Sequence, residues 1–139
     1  MQRVFLETPT SGNRDPEIYE RFAKACIRDS ILRKEAPLSV FLLYKQPGIL
    51  FDENPDEKTL GRLAASEWNK ICTRIIVYKD LGVTKEMQRT IDDAIKEDCI
   101  VEYRTLNDPE LKNNQLTTDP STIRTGMKTV VTPSFLKFT

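Results

Sequence analysis

Three times along the chain an apolar run gives way to a polar loop, and the loop hands over to a helix-start signal. Val4-Phe5-Leu6 leads through Thr8-Pro9-Thr10-Ser11-Gly12-Asn13 to Asp15-Pro16-Glu17. Leu38 to Leu43 leads through Tyr44-Lys45-Gln46-Pro47-Gly48 to Asn54-Pro55-Asp56-Glu57, and Arg74 to Tyr78 leads through Lys79-Asp80-Leu81-Gly82 to Thr84-Lys85-Glu86. Short apolar runs alternating with helices predict a parallel sheet covered on both faces. With right-handed crossovers this is a three-layer α/β sandwich of strand order 2-1-3-4. Ligands of such sheets sit beyond the carboxyl ends of the strands, so the three polar loops are the expected site.

The first strand is expected over Val4 to Thr8. Asp15 reads as an N-cap with Pro16 at the first helical position, opening a helix that runs to about Lys34. Tyr19, Phe22, Ala23, Cys26, Ile27, Ser30 and Ile31 share one face of it at helical spacing. Pro37 is expected to stop that helix and begin a second strand, Leu38 to Leu43. The loop from Lys45 to Glu53 carries Ile49, Leu50 and Phe51, which fit a flap, a subunit contact or a loop tucked onto its own core. Asn54 caps a second helix reaching about Cys72, with Leu60, Leu63, Ala64, Trp68 and Ile71 expected inward. Gly61, Ala64 and Ala65 would let a twin helix approach closely, which suggests a homo-oligomer. Arg74 to Tyr78 is the third strand. Thr84 caps a third helix with Met87, Ile91, Ala94 and Ile95 inward, and Ile100 to Tyr103 is the fourth strand. Residues 1–106 form the α/β domain, and 107–139 form a polar C-terminal extension whose Thr129-Val130-Val131 and Phe135-Leu136-Lys137-Phe138 fit an edge strand, a contact with a neighbouring subunit or a loose tail.

Length and charge narrow the function. The 139 residues suffice for one domain with a core. The 21 basic and 21 acidic residues cancel, and no stripe gathers the basic ones, which argues against a general nucleic-acid binder. No apolar run is long enough to span a membrane, and the N-terminus resembles no signal peptide. Cys26, Cys72 and Cys99 are scattered among apolar residues and read as reduced core thiols of a cytoplasmic protein. The chain has no histidine, which removes the commonest general base and the commonest zinc ligand, so no metal and no cofactor is expected. Chemistry must come from carboxylates, hydroxyls, amides, lysine or arginine.

Two loops carry candidates. Thr8, Thr10, Ser11, Gly12 and Asn13 precede a helix N-terminus, where backbone N–H groups and the dipole favour a phosphate. The alternative is a turn that only joins strand to helix. Tyr44 or Trp68 would supply an aromatic surface for a base. The third loop offers Asp80, and Glu86 and Thr90 share a face one turn apart on the following helix. Glu86 is either a site carboxylate or a first-turn acid that favours the helix dipole.

Val4-Phe5-Leu6-Glu7-Thr8-Pro9, Tyr19 and Ala23, Ala36-Pro37-Leu38, Leu42-Leu43-Tyr44 with Gln46, Gly61, Trp68, Cys72, Ile76-Val77-Tyr78, Met87 with Ile91 and Ala94, and Val101-Glu102-Tyr103-Arg104 together resemble the small nucleoside 2-deoxyribosyltransferase-like proteins, in a branch common in phage and bacterial genomes. The resemblance spans about residues 3 to 106. It implies a flavodoxin-like (Rossmann-like) sheet, an oligomer, and a site for a deoxynucleoside or deoxynucleotide that adds Gln46 to the ligand-binding candidates. Active members cleave the N-glycosidic bond with a glutamate nucleophile. Here the stretch that carries it reads Glu86-Met87-Gln88-Arg89-Thr90, so the expected glycine has become Glu86 and the expected nucleophile has become Thr90. An acidic pair expected after Cys72 reads Thr73-Arg74. A threonine hydroxyl without a base is a weak nucleophile.

Three functions follow. The first is a nucleotide or nucleoside binder that kept the pocket and lost efficient catalysis, acting as a sponge or a sensor. The second is a working N-glycosidase or 2-deoxyribosyltransferase using Glu86, or Glu7 at the end of the first strand. The third is a protein-interaction module using the Ile49-Leu50-Phe51 loop and the polar tail.

Overall fold

The computed structural model describes residues 1–51, 53–71, 73–106 and 128–131. In chain order the elements are β1 (Gln2–Glu7), α1 (Pro16–Leu32), β2 (Glu35–Ser39), α2 (Val40–Tyr44), α3 (Pro55–Asn69), β3 (Arg74–Tyr78), α4 (Lys85–Lys96), β4 (Ile100–Arg104) and β5 (Lys128–Val131). The sheet order is β2-β1-β3-β4-β5. The first four strands are parallel, as expected for a flavodoxin/Rossmann-like arrangement, and β5 pairs antiparallel with β4, Val101 opposite Val131. The rest of the C-terminal extension, and Cys72, lie outside the described residues.

Local signals set the helix starts. Asp15 Oδ1 accepts from Glu17 N, Asn54 Oδ1 from Asp56 N and Glu57 N, and Thr84 Oγ1 from Met87 N, so each expected cap is in place. The helix ends come earlier than the patterning predicts. α1 stops at Leu32, and Lys34 turns the chain with φ of +67° into β2.

The second strand differs from expectation. It spans Glu35 to Ser39, and the apolar run that follows is the short helix α2. An apolar run of that length suits either state, and pairing decides. The ladder with β1 ends at Leu6 opposite Ser39, and the Ser39 hydroxyl then accepts from Leu42 N as an N-cap. Pro37 sits inside β2, which an edge strand tolerates.

Side chains of the strands alternate between two cores. Val4, Leu6, Ile76 and Tyr78 pack with Tyr19, Phe22 and Cys26 of α1, while Ile75, Val77 and Val101 pack with Met87, Ile91 and Ala94 of α4. Cys26 and Cys99 are buried, in keeping with core thiols. Ile31 and Ile95, expected inward, are exposed because their helices end within a turn of them.

Helix α3 is also turned away from the expected orientation. It buries no residue, and Leu60 (61% exposed) and Leu63 (58%) face outward, as does Ile71 just beyond its end. Its small and polar stripe, with Gly61, Ala65 and Asn69, faces the interior. The small residues therefore line a cavity of their own chain, and the apolar stripe faces outward.

Beneath α1 lies a buried polar network. The Arg104 guanidinium donates to both Glu35 carboxylate oxygens, at 2.7 and 2.6 Å, and pairs with Glu102 on its own strand. Arg74 also pairs with Glu102. Tyr78 Oη and Arg33 Nε donate to Asp29 Oδ2 at 2.6 and 2.9 Å. Burial pushes the Glu102 carboxyl up, but hydrogen bonds and charge from Arg74 and Arg104 outweigh it and hold it below its usual range.

Candidate functional site

The site grows from the end of β1. Strand alternation puts Phe5 and Glu7 on the face covered by α3 and α4, which leaves a carboxyl at the polar end of an apolar strip. Thr90 of α4 hydrogen-bonds the Glu7 carboxyl, and Thr90 Oγ1 also donates to the Glu86 carbonyl at 3.3 Å. Lys45, placed by α2, donates from Nζ to Glu86 Oε1 at 2.7 Å across 41 positions of sequence. Glu7, Lys45, Glu86 and Thr90 thus form one cluster.

That cluster lines a cavity of about 290 Å³. Phe5, Phe41, Ile75 and Met87 give it apolar walls, and α3 contributes Gly61, Arg62 and Ala65. Thr8, only 3% exposed, lines it, and its hydroxyl has no hydrogen-bond partner among the described residues. A buried orphan hydroxyl costs free energy unless a ligand or water satisfies it. Burial, and then the nearby Glu86 charge, push the Glu7 carboxyl up to about 8, against the opposing effects of Lys45 and the Thr90 hydrogen bond. At neutral pH Glu7 is therefore a proton donor, and Glu86 is the ion-paired carboxylate beside it.

The structure gathers some of the sequence candidates and separates others. Thr8, Thr10, Glu86 and Thr90 line this cavity. Tyr44 and Gln46 line a smaller adjoining one of about 170 Å³, which shares Lys45, Gly61 and Arg62 with the first. Trp68 is 44% exposed and donates from Nε1 to Tyr44 Oη at 2.7 Å, so it braces Tyr44. Ser11, Gly12 and Asn13 are exposed and lie outside both cavities. A Cβ on Gly12 would come within 2.4 Å of Tyr19 Oη, so this glycine serves packing. The α1 N-terminus already holds the Asp15 carboxylate. Asp80 stands apart, its carboxylate accepting from Leu106 N at 2.9 and 3.0 Å to tie down the end of β4.

Sequence reasoning left Lys45, Arg62 and the apolar walls out of the site. Glu7 carried a signal, as a carboxylate closing an apolar run. Lys45 carried none, because α2 was not foreseen. In the loop after α2, Ile49 and Phe51 are exposed, while Leu50 rests close to Gly61. Among the described residues no group of three or more His, Cys, Asp or Glu is placed to hold a metal, and no helix is long and apolar enough to cross a membrane.

Fold and site together define a parallel α/β domain with a ligand-sized cavity at the carboxyl end of its central strands. A family model described as a domain of unknown function (DUF7768) matches residues 2–104, so the chain belongs to that family. No curated protein matches it.

Proposed function

We propose that this protein binds a nucleotide or nucleoside-derived small molecule in the cavity between β1, α3 and α4, without efficient catalysis, as a cytoplasmic sponge or sensor. The observation that carries the reading is the buried, unpartnered Thr8 hydroxyl on a cavity that combines apolar walls with charged groups. The deoxyribosyltransferase-like sequence pattern supports the same ligand class, and Thr90 at the nucleophile position supports binding over turnover. The test is incubation with deoxynucleosides, deoxynucleoside monophosphates and cyclic nucleotides, followed by analysis of the supernatant and of ligand released on denaturation. Unchanged ligand in the denatured fraction is expected, and its absence for every compound overturns the reading.

A second reading, N-glycosidic cleavage, is favoured by the two carboxyl groups on one cavity, Glu7 held protonated at neutral pH by burial and Glu86 ion-paired with Lys45. Two carboxyl groups in different environments are the usual equipment for glycosidic cleavage. Release of free base that vanishes in both Glu7→Gln and Glu86→Gln would establish this reading in place of the first.

Self-association through the outward stripe of α3 belongs to the same proposal. Leu60, Leu63 and Ile71 form an apolar strip that a symmetric copy would cover. Sedimentation is expected to give a multiple of 16.0 kDa, and Leu63→Glu is expected to shift it to the monomer. A wild-type monomer at micromolar concentration would rule this out.

A further inference from the structure

Two arginines reach the cavity from the two helices beside it, Arg62 from α3 and Arg89 from α4. Among the described residues neither makes an ion pair. Two other lining cations are committed, Lys45 to Glu86 at 2.7 Å and Lys70 to Glu67 at 2.6 Å. Asp93, Glu97 and Lys96 also line the cavity, all three on α4 or at its end. A guanidinium presents a fork of donors that matches phosphate oxygens, and it keeps its charge at any working pH.

Of the other polar groups on the cavity, the Lys45 charge is already used by Glu86, and the orphan Thr8 hydroxyl and the Thr90 hydroxyl suit an uncharged sugar. The loop before α1 is a poor phosphate site, because the Asp15 carboxylate occupies the helix N-terminus. A volume of about 290 Å³ is at the low end for ligand pockets, which suits a ligand of mononucleotide size.

The geometry points to a nucleoside 5′-monophosphate as the ligand class, with its phosphate held by Arg62 and Arg89 and a sugar hydroxyl taken by Thr8. This rests on the ligand-binding reading above and decides between nucleotide and nucleoside within it. Both arginines are exposed, so their removal leaves the cores intact.

The experiment is calorimetric titration of the full chain with each of the four deoxynucleoside 5′-monophosphates and with the four matching deoxynucleosides. The best monophosphate is expected to bind at least about tenfold tighter than its nucleoside, because charge-assisted hydrogen bonds are the strong ones. In the Arg62→Ala/Arg89→Ala variant that advantage is expected to vanish, because the monophosphate loses more affinity than the nucleoside. Thr8→Val is expected to weaken both ligands by a similar factor. A nucleoside that binds as tightly as its monophosphate overturns the phosphate site and leaves the ligand-binding reading standing, as does a double variant that keeps the preference. No binding by any of the eight compounds overturns both.

Discussion

Arg104→Met is expected to lower the unfolding free energy by about 3–5 kcal/mol at neutral pH, measured by urea denaturation. Arg104 is 1% exposed and is the common partner of Glu35 and Glu102. Removing it leaves Glu35 with the Ser30 hydroxyl, at 2.9 Å, and the nearby Arg33 charge, and Glu102 with Arg74. A buried carboxylate without its counter-charge is the costly state, more so than an apolar replacement of the whole pair. Arg104→Met combined with Glu35→Met is therefore expected to recover part of the loss. The pH dependence has a defined sign. Glu35 and Glu102 are held below 4.5 in the folded protein, so their contribution is present above pH 4.5 and is lost as pH falls through the folded values. Acid unfolding of Arg104→Met is expected to be correspondingly shallower. A cost below about 1 kcal/mol would show that the network is not the anchor its burial implies.

Glu7→Gln is expected to act in the opposite direction and to stabilise the protein. The folded carboxyl titrates at about 8 against 4.5 for the free group. The folded state holds a proton between those values that the unfolded chain has released, so the wild type loses stability as pH rises from about 4.5 to about 8. A glutamine carries no charge to desolvate and keeps a hydrogen-bonding group near Thr90. Its gain is expected to be negligible at pH 4 and to reach about 2 kcal/mol at pH 9, with partial exposure and the neighbouring Lys45 allowed for. Thermal melts of both proteins across that range test it, and parallel curves would mean that Glu7 is not strained in the folded state. A destabilising carboxyl on a cavity is a frequent mark of function, where stability is traded for chemistry or recognition.

The sequence by itself determined what depends on near neighbours. Asp15, Asn54 and Thr84 cap their helices because each cap is a contact over two or three residues. The third strand is Arg74 to Tyr78 as patterned, because a run bounded by a polar loop and lodged between two neighbours has one fitting state. The parallel order follows from alternation and handedness, and β5 adds the edge strand.

Tertiary structure alone decided the rest. Val40 to Tyr44 became helix because the β1 ladder ended at Ser39, which no local pattern reveals. The apolar stripe of α3 was legible, but its direction was not, since an amphipathic helix states which face is greasy and leaves open which face meets its own sheet. The site was divided the same way: Thr8, Thr10, Glu86 and Thr90 could be named from loops and spacing, whereas Lys45 meets Glu86 across 41 positions and Arg104 meets Glu35 across 69. Contacts of that range, and the desolvation that raises the Glu7 carboxyl, are created by packing, so they exist only once the chain has folded.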